Sequence, residues 1–133
     1  MTPLTGRDPA EIEGNVQSFV RGANDGLIVT GSGVPQFLRG PIIALAARHR
    51  LPAVYPFRGF AVEGGLISFG NDQAEPYRLA AGYVARILKG EKPADLPVQA
   101  PVKFHTVLNL QTAKALGLDV PDVVRARADE VIE

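Results

Sequence analysis

Apolar residues in this chain occur in two patterns, short continuous runs and longer segments with helical spacing. Two of the short runs, residues 53–55 and 66–69, lie within the stretch 48–72, and each follows a break made by a proline or by a glycine pair. Short apolar runs that are bounded by proline and glycine, with helical patterns on both sides, are typical of buried parallel strands. This stretch therefore predicts the centre of a parallel sheet.

Two helices are predicted from capping signals that are followed by apolar residues at helical spacing. Asp8 precedes a proline and stands three residues before Glu11, which is a capping box, and the helix that it begins should end near Gly22. Asp72 and Glu75 form the same pattern at the start of a second helix. The apolar stripe of this second helix consists of Tyr77, Ala80, Ala81, Val84, Ile87 and Leu88.

The rest of the chain also alternates strands and helices, which predicts an α/β fold of three layers, a mainly parallel sheet with helices on both faces. At 133 residues the chain should form one domain, a single α/β unit over 1–133. Residues 1–7 are too few for a strand before the first helix, so we expect the chain to begin inside a larger fold. The other predicted elements are strands at 27–30 and 104–110, helices at 41–49 and 112–116, an extended linker at 91–101, and a last helix that begins at 121.

Composition excludes several functions. Fourteen basic and fourteen acidic side chains cancel, which gives no electrostatic footprint for nucleic acid. Since the chain has no cysteine, disulfides, cysteine-ligated metals and cysteine nucleophiles are excluded. Residues 1–14 lack the apolar region of a signal peptide, so the chain as written is expected to stay in the cytoplasm. No apolar run approaches the length of a membrane span.

The residue types that carry catalysis are present but are not arranged for it. His49 and His105, the two histidines, are not placed together or beside a carboxylate at metal-ligand spacing. Gly31-Ser32-Gly33 is neither a nucleophile elbow nor a nucleotide fingerprint. The acidic residues mostly fall at helix starts, where capping explains them. We therefore expect no enzyme, no metal and no cofactor.

Binding is better supported, because ligands of open α/β sheets lie beyond the carboxyl ends of the strands. The residues at those positions are Ser32, Tyr55 and Asp72, and they are the candidate ligand-binding residues. Tyr55 has an equally good interpretation as a core tyrosine. For Asp72 the interpretation as a pure helix cap is the stronger of the two, and the carboxylate can both cap the helix and point into a cleft. Arg58 is either a solvated loop residue or a partner for a ligand carboxylate.

Five segments of the chain carry a family resemblance when they are taken in order. They are ALAARHRLPAVYPFR at 44–58, GGLISFGND at 64–72, YVARILKGEKPADLPVQAP at 83–101, LNLQTAKALGL at 108–118 and RADEVIE at 127–133. Together they resemble the C-terminal half of bacterial ABC-transporter solute-binding proteins, in the group related to tryptophan- and tyrosine-binding proteins. The resemblance covers nearly the whole chain.

The resemblance implies the type 1 periplasmic-binding fold, in which two α/β lobes clasp a solute between them. It implies a small amino-acid-like or aromatic solute, an ABC permease as partner, a periplasmic location, and neither catalysis nor a cofactor. By this analogy Ser32, Tyr55 and Asp72 would face the cleft. The family pattern at the second glycine strand is glycine–proline–aspartate, whereas this chain has Gly70-Asn71-Asp72.

A single lobe would lack one wall of its cleft and some strand partners. Exposed strand edges favour pairing with another chain, so we expect a homodimer, in which elements can be swapped between subunits. The main hypothesis is a truncated solute-binding component of an ABC importer. The alternative is a ligand-free structural or dimerisation domain left from a decayed binding-protein gene, and a small α/β enzyme ranks third.

Overall fold

The structure is a computed structural model that describes residues 2–20, 22 and 25–133. Helices and strands alternate through most of the chain, as the apolar pattern predicts. The helices are α1 (Pro9–Phe19), α2 (Gly33–Phe37), α3 (Arg39–Arg48), α4 (Arg58–Val62), α5 (Ala74–Leu88), α6 (Leu110–Leu116) and α7 (Asp122–Arg127), with a 3-10 turn at Pro93–Asp95. The strands are β1 (Leu27–Ile28), β2 (Ala53–Tyr55), β3 (Ile67–Asn71), β4 (Phe104–Asn109) and β5 (Glu130–Ile132).

The five strands form one sheet in sequence order, β1-β2-β3-β4-β5. The pairs β1–β2, β2–β3 and β4–β5 are parallel, whereas β3 and β4 are antiparallel. The predicted fold class, an α/β fold with a mainly parallel sheet, is therefore confirmed.

One face of the sheet carries the main core. Ala53 and Tyr55 point to this face from β2, and α1, α3 and α4 cover it with apolar side chains. The ring of Phe60 in α4 stacks on the ring of Tyr55, with 5.0 Å between ring centroids. The buried cluster consists of Val16, Ile42, Ile43, Leu45, Ala46, Leu51, Ala53, Tyr55 and Phe60.

The topology explains why this face is covered first. Crossovers between parallel strands are nearly always right-handed, so the β1–β2 and β2–β3 connections place their helices, α3 and α4, on the same side. Because β4 runs in the opposite direction, the same rule places the connection from β4 to β5, which contains α6 and α7, on the other side. The burial of Leu108, which points to that other side from β4, agrees with this placement.

Several predicted boundaries and some element types differ in the structure. The first helix begins at the predicted cap, since Asp8 Oδ1 accepts a hydrogen bond from the Glu11 N–H at 2.9 Å. The second bond of the predicted capping box is replaced, because Glu11 Oε2 accepts from the Arg7 N–H. The helix ends at Phe19, before Gly22, because Val20 has an extended backbone. The region of Arg58 and Gly59, predicted as a loop, contains the short helix α4.

The end of the chain was predicted as one helix and is instead a helix followed by a strand. Pairing with β4 accounts for the difference, because Val107 aligns with Glu130 in the parallel ladder. Asp129 strengthens the pairing of β4 and β5 through both its backbone and its side chain. Its N–H donates to the Thr106 carbonyl at 2.9 Å, and its Oδ2 accepts from the Thr106 N–H at 2.8 Å.

Candidate functional site

The carboxyl ends of β1, β2 and β3 meet at one edge of the sheet, which we call the carboxyl edge and define as residues 30–32, 56–57 and 70–72. Two glycines let its three segments approach each other closely. A Cβ on Gly31 would lie 3.5 Å from Pro56 Cβ and from Phe57 Cζ. A Cβ on Gly70 would lie 1.8 Å from the carbonyl oxygen of Pro56, so only glycine fits there. The segments that follow the three parallel strands are therefore packed side by side.

Ser32 lies on this edge with an exposed side chain. Its N–H donates a hydrogen bond to the carbonyl of Thr30 at 2.9 Å, which closes a tight turn after β1. The next residue, Gly33, begins α2. The Ser32 hydroxyl is thus presented to solvent from a short strand-to-helix turn.

Tyr55 ends β2, but its side chain points away from the edge and into the core. The residue is 1% exposed, and burial raises the pKa of its phenol to about 12. Gly65 leaves room for the ring, because a Cβ there would lie 2.6 Å from Tyr55 Cε2. The structure thus shows the core position that was one of the two interpretations of Tyr55. Contact between Tyr55 and a solute stays a prediction. Because the ring is buried, such a contact would involve the end of β2 rather than the ring.

Asp72 lies on the edge and also caps α5. Its Oδ1 accepts a hydrogen bond from the Ala74 N–H at 2.9 Å, and its Oδ2 lies 3.5 Å from Arg78 Nη1. The side chain is still 41% exposed. The cap and the cleft-facing position are therefore compatible, because one carboxylate oxygen is committed to the helix and the other has a single long contact.

Arg58, for which a ligand carboxylate was one alternative, has a protein partner in the structure. Its guanidinium donates two hydrogen bonds of 2.7 Å to the two carboxylate oxygens of Glu130. These hydrogen bonds lower the pKa of Glu130. The pair joins α4 to β5, so Arg58 is used to hold the sheet to its covering helix.

Two aromatic residues outside the three candidates follow β1 and β2. Phe57 lies two residues after β2, and its ring lies beside Gly31. Phe37 ends α2, five residues after Ser32, and is 90% exposed. The position of Phe57 just beyond a strand end points to a site in the sequence, whereas Phe37 lies nine residues after β1 and carries no such signal.

Two polar atoms near the same edge are buried without a hydrogen-bond partner, Gln36 Oε1 in α2 and Glu75 Oε2 in the first turn of α5. Buried polar atoms without partners are costly, and they are often explained by a missing water or ligand. Glu75 was predicted to complete a capping box with Asp72, but this carboxylate oxygen makes no such bond. Both residues follow strand ends and add acceptor groups to the region.

Two grooves of about 150 Å³ and 230 Å³ lie away from the carboxyl edge, between α1 and α3 and beside α6. Among residues 2–20, 22 and 25–133, no group of three or more histidine, aspartate or glutamate side chains could hold a metal ion. In the same part of the chain no helix combines the length and the apolar character needed to cross a membrane.

The sequence of this chain matches a known protein family. The family model described as ABC transporter substrate binding protein matches residues 2–132. The chain therefore belongs to the ABC transporter substrate-binding protein family, as the resemblance of its sequence segments predicts. No curated protein matches the chain.

Solved structures share the fold over almost the whole chain. A conserved domain protein from Vibrio cholerae matches 92% of this chain with a TM-score of 0.82 and 25% identity. An ABC domain from Streptococcus pneumonia in complex with L-Trp matches 93% with a TM-score of 0.80 and 25% identity. A ligand-free, open substrate-binding protein with adhesive properties from Clostridium difficile matches 94% with a TM-score of 0.65 and 22% identity.

The matched part is less than half of each solved protein. The chain covers 41% of the Vibrio cholerae protein, 43% of the Streptococcus pneumonia protein and 41% of the Clostridium difficile protein. Each of those proteins is thus more than twice as long as this chain.

Proposed function

We propose that this chain is a solute-binding lobe of an ABC importer, a single α/β unit over 1–133 that binds a small amino-acid-like or aromatic solute without catalysis. The single observation that carries the proposal is the convergence of the segments after β1, β2 and β3 at the carboxyl edge, in a chain of the substrate-binding family. In open α/β sheets this edge is where ligands bind.

The groups at the edge suit an amino acid. The partly exposed carboxylate of Asp72 would pair with the α-amino group, and the Ser32 hydroxyl would donate to the α-carboxylate. The exposed ring of Phe37 offers an apolar surface to an aromatic side chain. The L-Trp complex of the Streptococcus pneumonia domain supports an aromatic solute for a chain of this fold.

Tyr55 has a supporting role in this proposal. Its buried ring fixes the end of β2 against Phe60 and Gly65. The adjoining Pro56 carbonyl then lies against Gly70, which aligns the edge for a ligand.

The family supplies the partner and the setting of the proposal. Substrate-binding proteins of this family serve transport and are not a catalytic family, and they normally work outside the cytoplasm. We propose an ABC permease as the partner of this chain and the periplasm as its location. The half-exposed edge would then deliver its solute to the permease.

The second candidate is a ligand-free structural or dimerisation domain. The observation that favours it is the number of large apolar side chains that remain exposed outside the carboxyl edge, including Val54, Phe69, Val84 and Leu88. Such surfaces mark interaction sites. Both candidates include a homodimer, in which elements can be swapped between subunits.

Isothermal titration calorimetry with a panel of amino acids, including L-Trp and L-Tyr, tests the proposal. We expect saturable binding of one aromatic member, weakened about tenfold or more by Asp72→Asn, because a charged hydrogen bond contributes about 1.5–3 kcal/mol. Ser32→Ala should weaken it less. The matched control is Asp119→Asn, which removes an exposed carboxylate from the loop after α6. No heat with any member, or equal affinity in Asp72→Asn and wild type, would favour the ligand-free domain.

A further inference from the structure

Residues 72–103 leave the sheet after β3 and return to it at β4, and we call this segment the arm. It contains α5 and the 3-10 turn, and no residue in it is fully buried. The strands at its two ends are hydrogen-bonded neighbours in the sheet. The arm is therefore an excursion of the chain that adds nothing to the core of its own body.

The arm uses one side of α5 to fold on itself. Leu79 and Tyr83 are partly buried on that side, and the Tyr83 hydroxyl donates to the Pro97 carbonyl at 2.6 Å. Arg86 pairs with Glu91 just beyond the helix end. These contacts fix the rotation of α5 relative to the returning chain.

The other side of α5 carries an apolar stripe that faces solvent. Its members are spaced four, three and four residues apart, so they lie on one line along the helix. Tyr77 is 78% exposed, Val84 55% and Leu88 83%, and the small Ala81 lies between them. Ala74, Ala80, Ala85 and Ile87 flank the line, and the nearest charge is Arg78, about 100° around the helix. We call Tyr77, Ala81, Val84 and Leu88 the stripe.

A second apolar surface, left partly exposed by the residues that the structure describes, lies on the sheet, on the face opposite the main core. Strand register puts Ile28 beside Val54, and the rings of Phe69 and Phe104 stack with 5.4 Å between centroids. These four side chains, which we call the open face, are 39–61% exposed. The right-handed β1–β2 and β2–β3 crossovers explain why this face is exposed, since both place their helices, α3 and α4, on the opposite face.

We propose that the stripe of one chain packs on the open face of a second copy, and that the second copy returns the same contact. An amphipathic helix on an apolar sheet face is the standard layer of an α/β fold, and this chain carries both halves of that layer unpaired. A single two-fold axis satisfies both surfaces at once. The inference rests on the homodimer of the proposed function and names its interface.

Charge and size agree with a second copy as the occupant. The net charge of zero gives two copies no overall repulsion, and neither surface contains a charged side chain. The stripe runs from Tyr77 to Leu88 and is about 17 Å long, short for a stable interface. Two reciprocal contacts double the buried area toward the roughly 1,600 Å² of a standard interface.

The first test introduces one carboxylate into each surface and measures association by native mass spectrometry and light scattering at roughly 1–100 μM chain, concentrations at which a modest interface associates. We expect a wild-type dimer and at least about a tenfold loss of association in Val84→Glu, in Phe69→Glu and in Ile28→Glu, because each buries a charge. Ile28→Glu is a second variant of the open face in case Phe69→Glu folds poorly, as circular dichroism would show. The control is Gly82→Glu, which puts the same charge on α5 away from the stripe, where a Cβ meets nothing within 4 Å.

Mixing the defective variants identifies the pairing. A Val84→Glu chain keeps a normal open face, and an Ile28→Glu chain keeps a normal stripe, so a mixed dimer has one intact contact. We expect the mixture to associate more strongly than either variant alone. A wild-type monomer at 100 μM would overturn the proposal. So would loss of the dimer in Val84→Glu but not in the open-face variants, since that result means α5 pairs with α5.

Solute binding is measured on the same variants so that the two proposals can fail separately. Val84 and Ile28 lie outside the carboxyl edge, so titration of their variants reports the edge itself. A dimer with no solute response would overturn solute binding and keep this interface. A monomer that binds a solute would do the reverse.

Discussion

Helices α3 and α5 both carry several apolar side chains, but only those of α3 are buried. α3 buries Ile42, Ile43, Leu45 and Ala46 against the sheet, whereas α5 buries none of its residues. The difference lies in the topology, because α3 connects two parallel strands and must cross the sheet, while α5 belongs to the arm that leaves it. An apolar stripe on a helix therefore does not show that the helix is covered by its own chain.

The largest expected difference between the packed core and the arm is in the effect on stability of removing one aromatic ring from each. Phe60→Ala removes a fully buried ring that stacks on Tyr55, and it should cost about 3–5 kcal/mol of unfolding free energy. Tyr77→Ala removes an equally large ring from the stripe, 78% exposed, and should change the unfolding free energy by less than about 0.5 kcal/mol. Urea unfolding at low micromolar concentration, where a modest interface dissociates, measures both. Equal losses would mean that the stripe is buried in the monomer.

Replacing one glycine in each region by alanine should change stability in opposite directions. Gly70→Ala forces a methyl group into the Pro56 carbonyl and should destabilise the chain by about 3 kcal/mol. Gly82→Ala, in the middle of α5, meets no atom within 4 Å and should stabilise the helix by about 0.5–1 kcal/mol. Thermal unfolding followed by circular dichroism reports both shifts. The prediction fails if Gly70→Ala melts at or above the wild-type temperature.

Burial of Tyr55 should make the stability of the chain depend on pH in the alkaline range. Burial raises the pKa of Tyr55 from 10.0 to about 12 in the folded chain. Because the folded pKa lies above the unfolded one, this contribution to stability is complete below pH 10.0 and is lost as the pH rises toward 12. Absorbance titration of the phenolates should show a late-ionising tyrosine that Tyr55→Phe removes. A titration of Tyr55→Phe that keeps the late step would contradict the burial.

The smallest expected difference concerns two exposed ion pairs. Arg58–Glu130 joins elements that are far apart in the chain, whereas Arg86–Glu91 is local to the arm. Hydrogen bonds from the arginines lower the pKa of both glutamates, so each contribution is present at neutral pH and is lost as the pH falls through the lowered pKa. We expect Glu130→Gln to lower the urea midpoint at pH 7 slightly, Glu91→Gln to lower it less, and both differences from wild type to disappear in acid. Equal urea midpoints for wild type and Glu130→Gln at pH 7 would mean that the Arg58–Glu130 pair does not stabilise the fold.

Sequence patterns located most of the fold because local signals and the final structure agree there. The cap at Asp8 formed as predicted, although Glu11 Oε2 accepts from the Arg7 N–H rather than from the Asp8 N–H. The runs at 53–55 and 66–69 became strands β2 and β3 within two residues. The strand β5 escaped because its partner, β4, lies more than twenty residues away, and helical spacing hid that pairing. The short helix α4 escaped because Arg58-Gly59 resembles a turn.

The candidate site was predictable in position but not in side-chain direction. Tyr55 ends β2, and Ser32 and Asp72 follow the ends of β1 and β3, as the sequence pattern implies. Alternation along β2 decides that the Tyr55 ring points into the core, and this depends on which face the crossover helices cover. The open face could not be read from the sequence either, since Phe69 looks like any buried strand residue until the layer over it is known.

Native mass spectrometry of the purified chain in the presence of L-Trp and of the other amino acids tests the central claim most directly, because it reports subunit number and bound solute together. The account predicts a dimer that carries an added mass of one aromatic amino acid per chain, and loss of that mass, but not of the dimer, in Asp72→Asn. A chain that takes up none of the amino acids at millimolar concentration, or that takes up the solute equally in Asp72→Asn, would contradict it.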